Sequence, residues 1–204
     1  MDLIADQIHK QMDGLECQVL ILPGWQGDRP DHWTGRWSRL HGHHLVQQHD
    51  WQRPLRGDWL MRLEETVMGL SGPMVLAAHG LGCHLATAWA AHSRQAQRVR
   101  GALLVAPLDV LSEPWLSRLP SWHAVALQPL PFRSLVLAQD PAGPPAGEPV
   151  RRWASAWGAR WLEPLAADFS HAQDADWPEG HALLQELIKD KTWSPKNPKA
   201  SVAA

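Results

Sequence analysis

Short apolar runs alternate along this chain with longer stretches in which apolar positions recur every three or four residues. The runs are CQVLIL (17–22), HHLVQQ (43–48), PMVLAA (73–78), RGALLVA (100–106), RSLVLA (133–138) and ARWLEP (159–164). Most are continuous in Val, Leu and Ile rather than alternating with polar residues, which predicts strands buried on both faces of a parallel sheet. Helical periodicity predicts helices over Asp31–Leu40, Gly57–Leu70, Leu81–Ser93, Glu148–Trp157 and Pro178–Lys189. In GDWLMRLEETVMGL, residues Trp59, Leu60, Leu63, Val67 and Leu70 share one face, with Asp58 placed to cap the helix. DWPEGHALLQELI carries Asp176 ahead of the first turn and Pro178 within it, a pattern of helix starts.

The alternation of β and α predicts an α/β protein: a mostly parallel sheet of about six strands with helices on both faces. Residues 1–190 read as one domain and 191–204 as a flexible tail, with the Pro/Gly loop DPAGPPAGEP at 140–149. A chain of 204 residues can bury a core of its own without staples. Its two cysteines, Cys17 and Cys83, lie far apart in apolar segments, so free thiols and a cytoplasmic location are expected. Net charge is -2 with acids and bases interspersed, which supplies no basic stripe for nucleic acid or an anionic membrane. The opening MDLIADQIHKQMDGLE has no apolar core of a signal peptide, and no run approaches the roughly 18 residues of a membrane span. Neither nucleic acid nor a membrane is therefore an expected partner. Thirteen Trp without a single Tyr point to core and pocket filling.

In an open α/β sheet, ligands sit outside the carboxyl ends of the strands. Four segments occupy such places: LPGWQGDRPDHW, AHGLGC, AQDPAGPP and ADFSHAQD. The stretch MVLAAHGLGCHLATAWAAHS (74–93) passes from an apolar run through a His and two glycines into an amphipathic helix, the arrangement of a nucleophile elbow. Gly80 stands where that elbow would carry serine. In chain order the four segments supply a backbone loop, an elbow, an acid and a histidine, the order of the α/β-hydrolase triad with its first member replaced.

These pieces, together with DWQRPLRGDWLMRLEE, GALLVAPLDV and DWPEGHALLQEL, resemble the small serine hydrolases related to retinoblastoma-binding protein 9, the YdeN-like esterases. The resemblance spans residues 18–188 and implies a compact α/β-hydrolase fold without metal or cofactor. It implies Gly80 at the nucleophile position, Asp140 as the acid and His171 as the base, with the Leu81 N–H and one near Trp25 as the oxyanion hole. Two features depart from the pattern: the missing hydroxyl at position 80, and a short loop between His171 and DWPEG. The implied chemistry is hydrolysis of a small ester or amide through an acyl-enzyme. Without the nucleophile only about 10³–10⁴-fold acceleration over water survives, from the oxyanion hole and binding, so activity is expected to be absent or severely reduced. The alternative is a non-catalytic small-molecule-binding or protein-interaction protein on the same scaffold.

Other residues take plainer readings. His79 is expected to hydrogen-bond structurally rather than act as a base, and His181, a rival to His171, falls inside the last helix. Cys83 lies in the helix after the elbow, pointing away from its tip. The cluster HGHH (41–44) with His49 lacks the spacing and carboxylates of a zinc site and reads as a polar loop entering an edge strand. Asp109–Leu130 is the one segment long enough to cover the site, with Trp115 and Trp122 as candidate pocket walls.

Overall fold

The computed structural model describes residues 16–29, 31–138, 147–162 and 177–190. Six strands form one all-parallel sheet: β1 (Gln18–Leu22), β2 (His44–Leu45), β3 (Met74–His79), β4 (Val99–Val105), β5 (Arg133–Leu137) and β6 (Arg160–Leu162), in the order β2-β1-β3-β4-β5-β6. The helices are α1 (Trp33–His41), α2 (Arg56–Met68), α3 (Leu81–Ala90), α4 (Trp115–Arg118), α5 (Glu148–Ala156) and α6 (Pro178–Lys189).

The chain steps outward from β1 to β2, then crosses back to β3 and continues through β6 in the opposite direction. Right-handed crossovers must then place the first helix on one face of the sheet and the later connecting helices on the other. The packing obeys this. Leu20, Leu22, Met74, Leu76 and Ala78 join Trp59 and Leu63 of α2, Trp89 of α3 and Trp153 of α5 in one core. The alternate strand residues Val19, Ile21, Val75 and Ala77 join Trp33 and Trp37 of α1 and Leu184 and Leu187 of α6 in the other. Side chains two apart share a face, so continuous apolar strands feed both cores at once.

Three expectations require correction. HHLVQQ pairs only through His44 and Leu45, because an edge strand with one neighbour and half-polar composition has little to gain from a longer ladder. Asp58 does not cap α2; the helix starts earlier, with Leu55 at the cap and Asp58 in the first turn, where its charge still favours the helix N-terminus. The helix after the elbow is not amphipathic: all ten residues of α3 are buried, and a short 3₁₀ turn over Arg94–Arg98 follows it. A helix covered all round needs internal partners for its polar groups. Thr87 donates to the His84 carbonyl at 3.3 Å, and His84 reaches the Leu108 carbonyl at 2.7 Å. The remaining elements fall within two residues of their predicted ends, apart from the early close of α3. Pro178 stands at the start of α6 as expected, and Asp176 lies outside the described residues.

Candidate active site

The strand order reverses between β1 and β3, and the loop leaving β1 lies there against the turn leaving β3. At that turn Gly80 has φ 51° and ψ -113°, a region that strains any residue bearing a side chain. Its N–H donates to the Val105 carbonyl at 3.0 Å, while its own carbonyl accepts from the N–H groups of Cys83 and Leu108, each at 3.3 Å. A Cβ placed on Gly80 fits: among the described residues, the nearest atom beyond its chain neighbours is Gly24 Cα at 3.8 Å, an ordinary van der Waals contact. Gly82, two residues on, has no room for one. A Cβ there runs into the Leu22 carbonyl oxygen, so only glycine lets α3 start this close to β1.

Leu81 opens α3, where backbone N–H groups have no intrahelical acceptor and the helix dipole favours negative charge. Across from it, Pro23, Gly24 and Trp25 form the loop after β1. The Gln26 N–H binds the Trp51 carbonyl at 3.2 Å, and Trp25 Nε1 donates to the Gln52 carbonyl at 3.4 Å. The Trp25 ring also meets the edge of Trp115 at 5.3 Å and 82°, with the Arg118 guanidinium 6.0 Å from its centroid. Trp115 therefore touches the loop after β1. Trp122 does not line a pocket: it is buried and donates Nε1 to the Pro54 carbonyl at 2.7 Å, as a core residue.

Behind the loop, on the α1 side of the sheet, lies a polar cluster centred on Asp28. Its carboxylate accepts the Gly24 N–H at 3.2 Å on each oxygen, the Thr34 hydroxyl at 2.9 Å and His79 Nδ1 at 2.8 Å. His32 caps α1 with its side chain and holds Nδ1 3.5 Å from the second Asp28 oxygen. Burial pushes the Asp28 carboxyl up, but the facing His79, with His32 and Thr34, outweighs it and holds the group below its ordinary value. His79 thus takes the structural role expected of it: it ties the end of β3 to the loop after β1.

His84 fastens the other side. Its ring meets Trp153 edge-on at 5.2 Å, and burial pushes its pKa down to about 4, which leaves a neutral imidazole donating Nε2–H to Leu108. Leu108 in turn holds the Gly80 carbonyl. Cys83 is buried, with its thiol directed to the carbonyls of Ala78 and Val105, and burial raises its pKa; it is no substitute nucleophile. His181 packs against α1, stacked on His41 at 3.9 Å and edge-on to Trp37 at 5.2 Å.

Of the residues the resemblance assigns, Gly80 and Leu81 lie just past the carboxyl end of β3, against the loop that carries Trp25, while Asp140 and His171 lie outside the described residues. Sequence reasoning did not find Asp28, His32, Thr34 or His84. Asp28 and His32 stand in an irregular loop and cap where periodicity carries no signal. His84 looked like the polar face of a helix that has none.

A family model described as Serine hydrolase matches residues 19–186. Among curated proteins none matches the chain. Among solved structures, a protein described as a YdeN-like hydrolase from Pectobacterium atrosepticum is 20% identical, with TM-score 0.68 over 90% of this chain and 96% of that one. The ydeN gene product of B. subtilis is 18% identical, with TM-score 0.62 over 85% of this chain and 100% of its own. An α/β-hydrolase enzyme from a sediment metagenome of the Mar Chica lagoon, Morocco, is 15% identical, with TM-score 0.56 over 88% and 94%. No helix among the described residues is long and apolar enough to cross a membrane. With the reversed sheet order, the strained turn at residue 80 and the family match over most of its length, the chain belongs to the serine hydrolase family and has a compact α/β-hydrolase fold.

Proposed function

We propose that this chain retains the small-molecule site of a serine hydrolase and has lost acyl-enzyme turnover through the glycine at position 80. The observation that carries this reading is the backbone at Gly80: φ 51° and ψ -113°, where an added Cβ meets the described residues only at van der Waals distance. A protein free of the nucleophile has no need of that strained turn, yet the turn persists, braced from both sides. In this reading Asp140 and His171 are the acid and base, and the N–H groups of Leu81 and Trp25 form the oxyanion hole. The ligand is a small ester or amide, since the short cap between Asp109 and Leu130 offers only a modest wall. Free Cys17 and Cys83 support a reducing, cytoplasmic setting.

The test is Gly80→Ser assayed against short-chain p-nitrophenyl esters. Restoring the hydroxyl is expected to raise hydrolysis by about 10³-fold or more over the parent chain, because triad members act as a unit. An inert, folded Gly80→Ser protein would instead favour a non-catalytic ligand-binding or interaction protein on this scaffold.

A further inference from the structure

We propose that Asp28, His32 and His79 form a binding site for one divalent cation of the zinc class, seated behind the loop that leaves β1. The three residues come from three separate segments: the loop after β1, the cap of α1 and the last position of β3. One donor atom from each lies within 4.8 Å of the others. Among the described residues no other group of three His, Cys, Asp or Glu side chains brings its donors so close.

The Asp28 carboxylate faces both rings. One Asp28 oxygen faces His79 Nδ1 at 2.8 Å and the other faces His32 Nδ1 at 3.5 Å. A tetrahedral zinc ion with bonds of about 2.0–2.1 Å holds neighbouring donors about 3.3 Å apart, between those two distances. Two imidazoles and one carboxylate suit zinc or cobalt; calcium and magnesium would call for oxygen donors throughout. The fourth position falls to water or to the Thr34 hydroxyl, which sits 2.9 Å from both His32 Nδ1 and Asp28 Oδ2.

The surroundings already orient the ligands. The Gly24 N–H reaches both carboxylate oxygens at 3.2 Å, the outer-shell support that tunes metal sites. Side-chain exposures of 7% for Asp28, 20% for His32 and 18% for His79 leave the site largely desolvated with a path for entry. On binding, the cation takes the place of the proton between His79 Nδ1 and Asp28: a neutral ring keeps its proton at Nε2, and a charged ring gives one up to solvent. It would staple the β1 loop to the end of β3. Because the ligands lie behind that loop, the inference stands whether or not residue 80 once carried a nucleophile.

The protein, stripped with chelator, is titrated with Zn²⁺ by calorimetry and with Co²⁺ by visible absorption. A chain with twelve histidines offers other contacts to metal, so a His41→Gln/His43→Gln variant serves as control. The expected result is one ion per chain, an intense low-coordinate Co²⁺ band, and a melting temperature raised by about 5–10 °C at Zn²⁺ hundredfold above its Kd. Asp28→Asn, which preserves shape, and His79→Gln should each weaken binding by about tenfold or more, while the control binds as the parent does. If His79→Gln fails to fold, Asp28→Asn and His32→Gln decide the matter. Binding unchanged by Asp28→Asn, binding lost in the control variant, or no ion held below millimolar concentration would each overturn the proposal.

Discussion

Two histidines flank the turn at Gly80, one residue before it and four after, and they brace it by opposite means. His79 faces a buried carboxylate on the α1 side and ties β3 to the loop after β1. His84 is sealed among tryptophans on the other side, donates to the Leu108 carbonyl, and ties α3 to the chain after β4. The first ring stands beside a carboxylate, and burial holds the second neutral. The difference teaches how this left-handed turn is kept: an ionic cluster fixes the loop after β1, and a neutral hydrogen bond fixes the segment after β4. Both reach Gly80 through backbone, by way of Gly24 and Leu108, so neither requires a side chain at position 80.

That comparison can be broken most severely at Gly82, where α3 starts against the backbone of Leu22 and Pro23. Gly82→Ala should cost about 4 kcal/mol or more, because its Cβ meets backbone rather than a movable side chain; chemical denaturation would measure it. Next is pH. His84 has a pKa of about 4 in the fold against its ordinary 6.5, so its contribution is whole above pH 6.5. As pH falls through that value the unfolded chain takes up a proton the folded one refuses, and up to about 3 kcal/mol is lost by pH 4. His84→Gln should remove that increment, flattening the stability-versus-pH curve over this window by about one proton relative to the parent, and leave the His79 side intact. The smallest effect is expected at the turn itself: Gly80→Ala should cost only about 1–2 kcal/mol, the strain of φ 51° without any steric clash, readable as a modest drop in melting temperature.

Much of this architecture was legible before any coordinates. Continuous Val/Leu/Ile runs predicted strands buried on both faces, and the central strands β1, β3, β4 and β5 follow them closely. The turn at Gly80 was legible from an apolar run, two glycines and a helix in close succession. The polar cluster was not. Asp28 owes its burial to a loop folding back over β3, and its partner His79 comes from 51 residues away, a separation no local pattern encodes. His84 shows the reverse failure. It stands in a helix expected to be amphipathic, but the Leu108 carbonyl and the rings of Trp153 and Trp157 enclose it and make a sealed position. The segment from Asp109 to Leu130 likewise hid a short helix, α4, and a 3₁₀ turn over Pro120–Trp122, both too brief for periodicity to register.

The central claim is that residue 80 occupies a working elbow that lacks only its hydroxyl. Its most direct test is treatment of parent and Gly80→Ser proteins with a fluorophosphonate, followed by mass mapping of the adduct. The account predicts one covalent adduct per chain, on residue 80 of the variant and nowhere on the parent. A folded variant that stays unlabelled, or a parent labelled at some other residue, would contradict it.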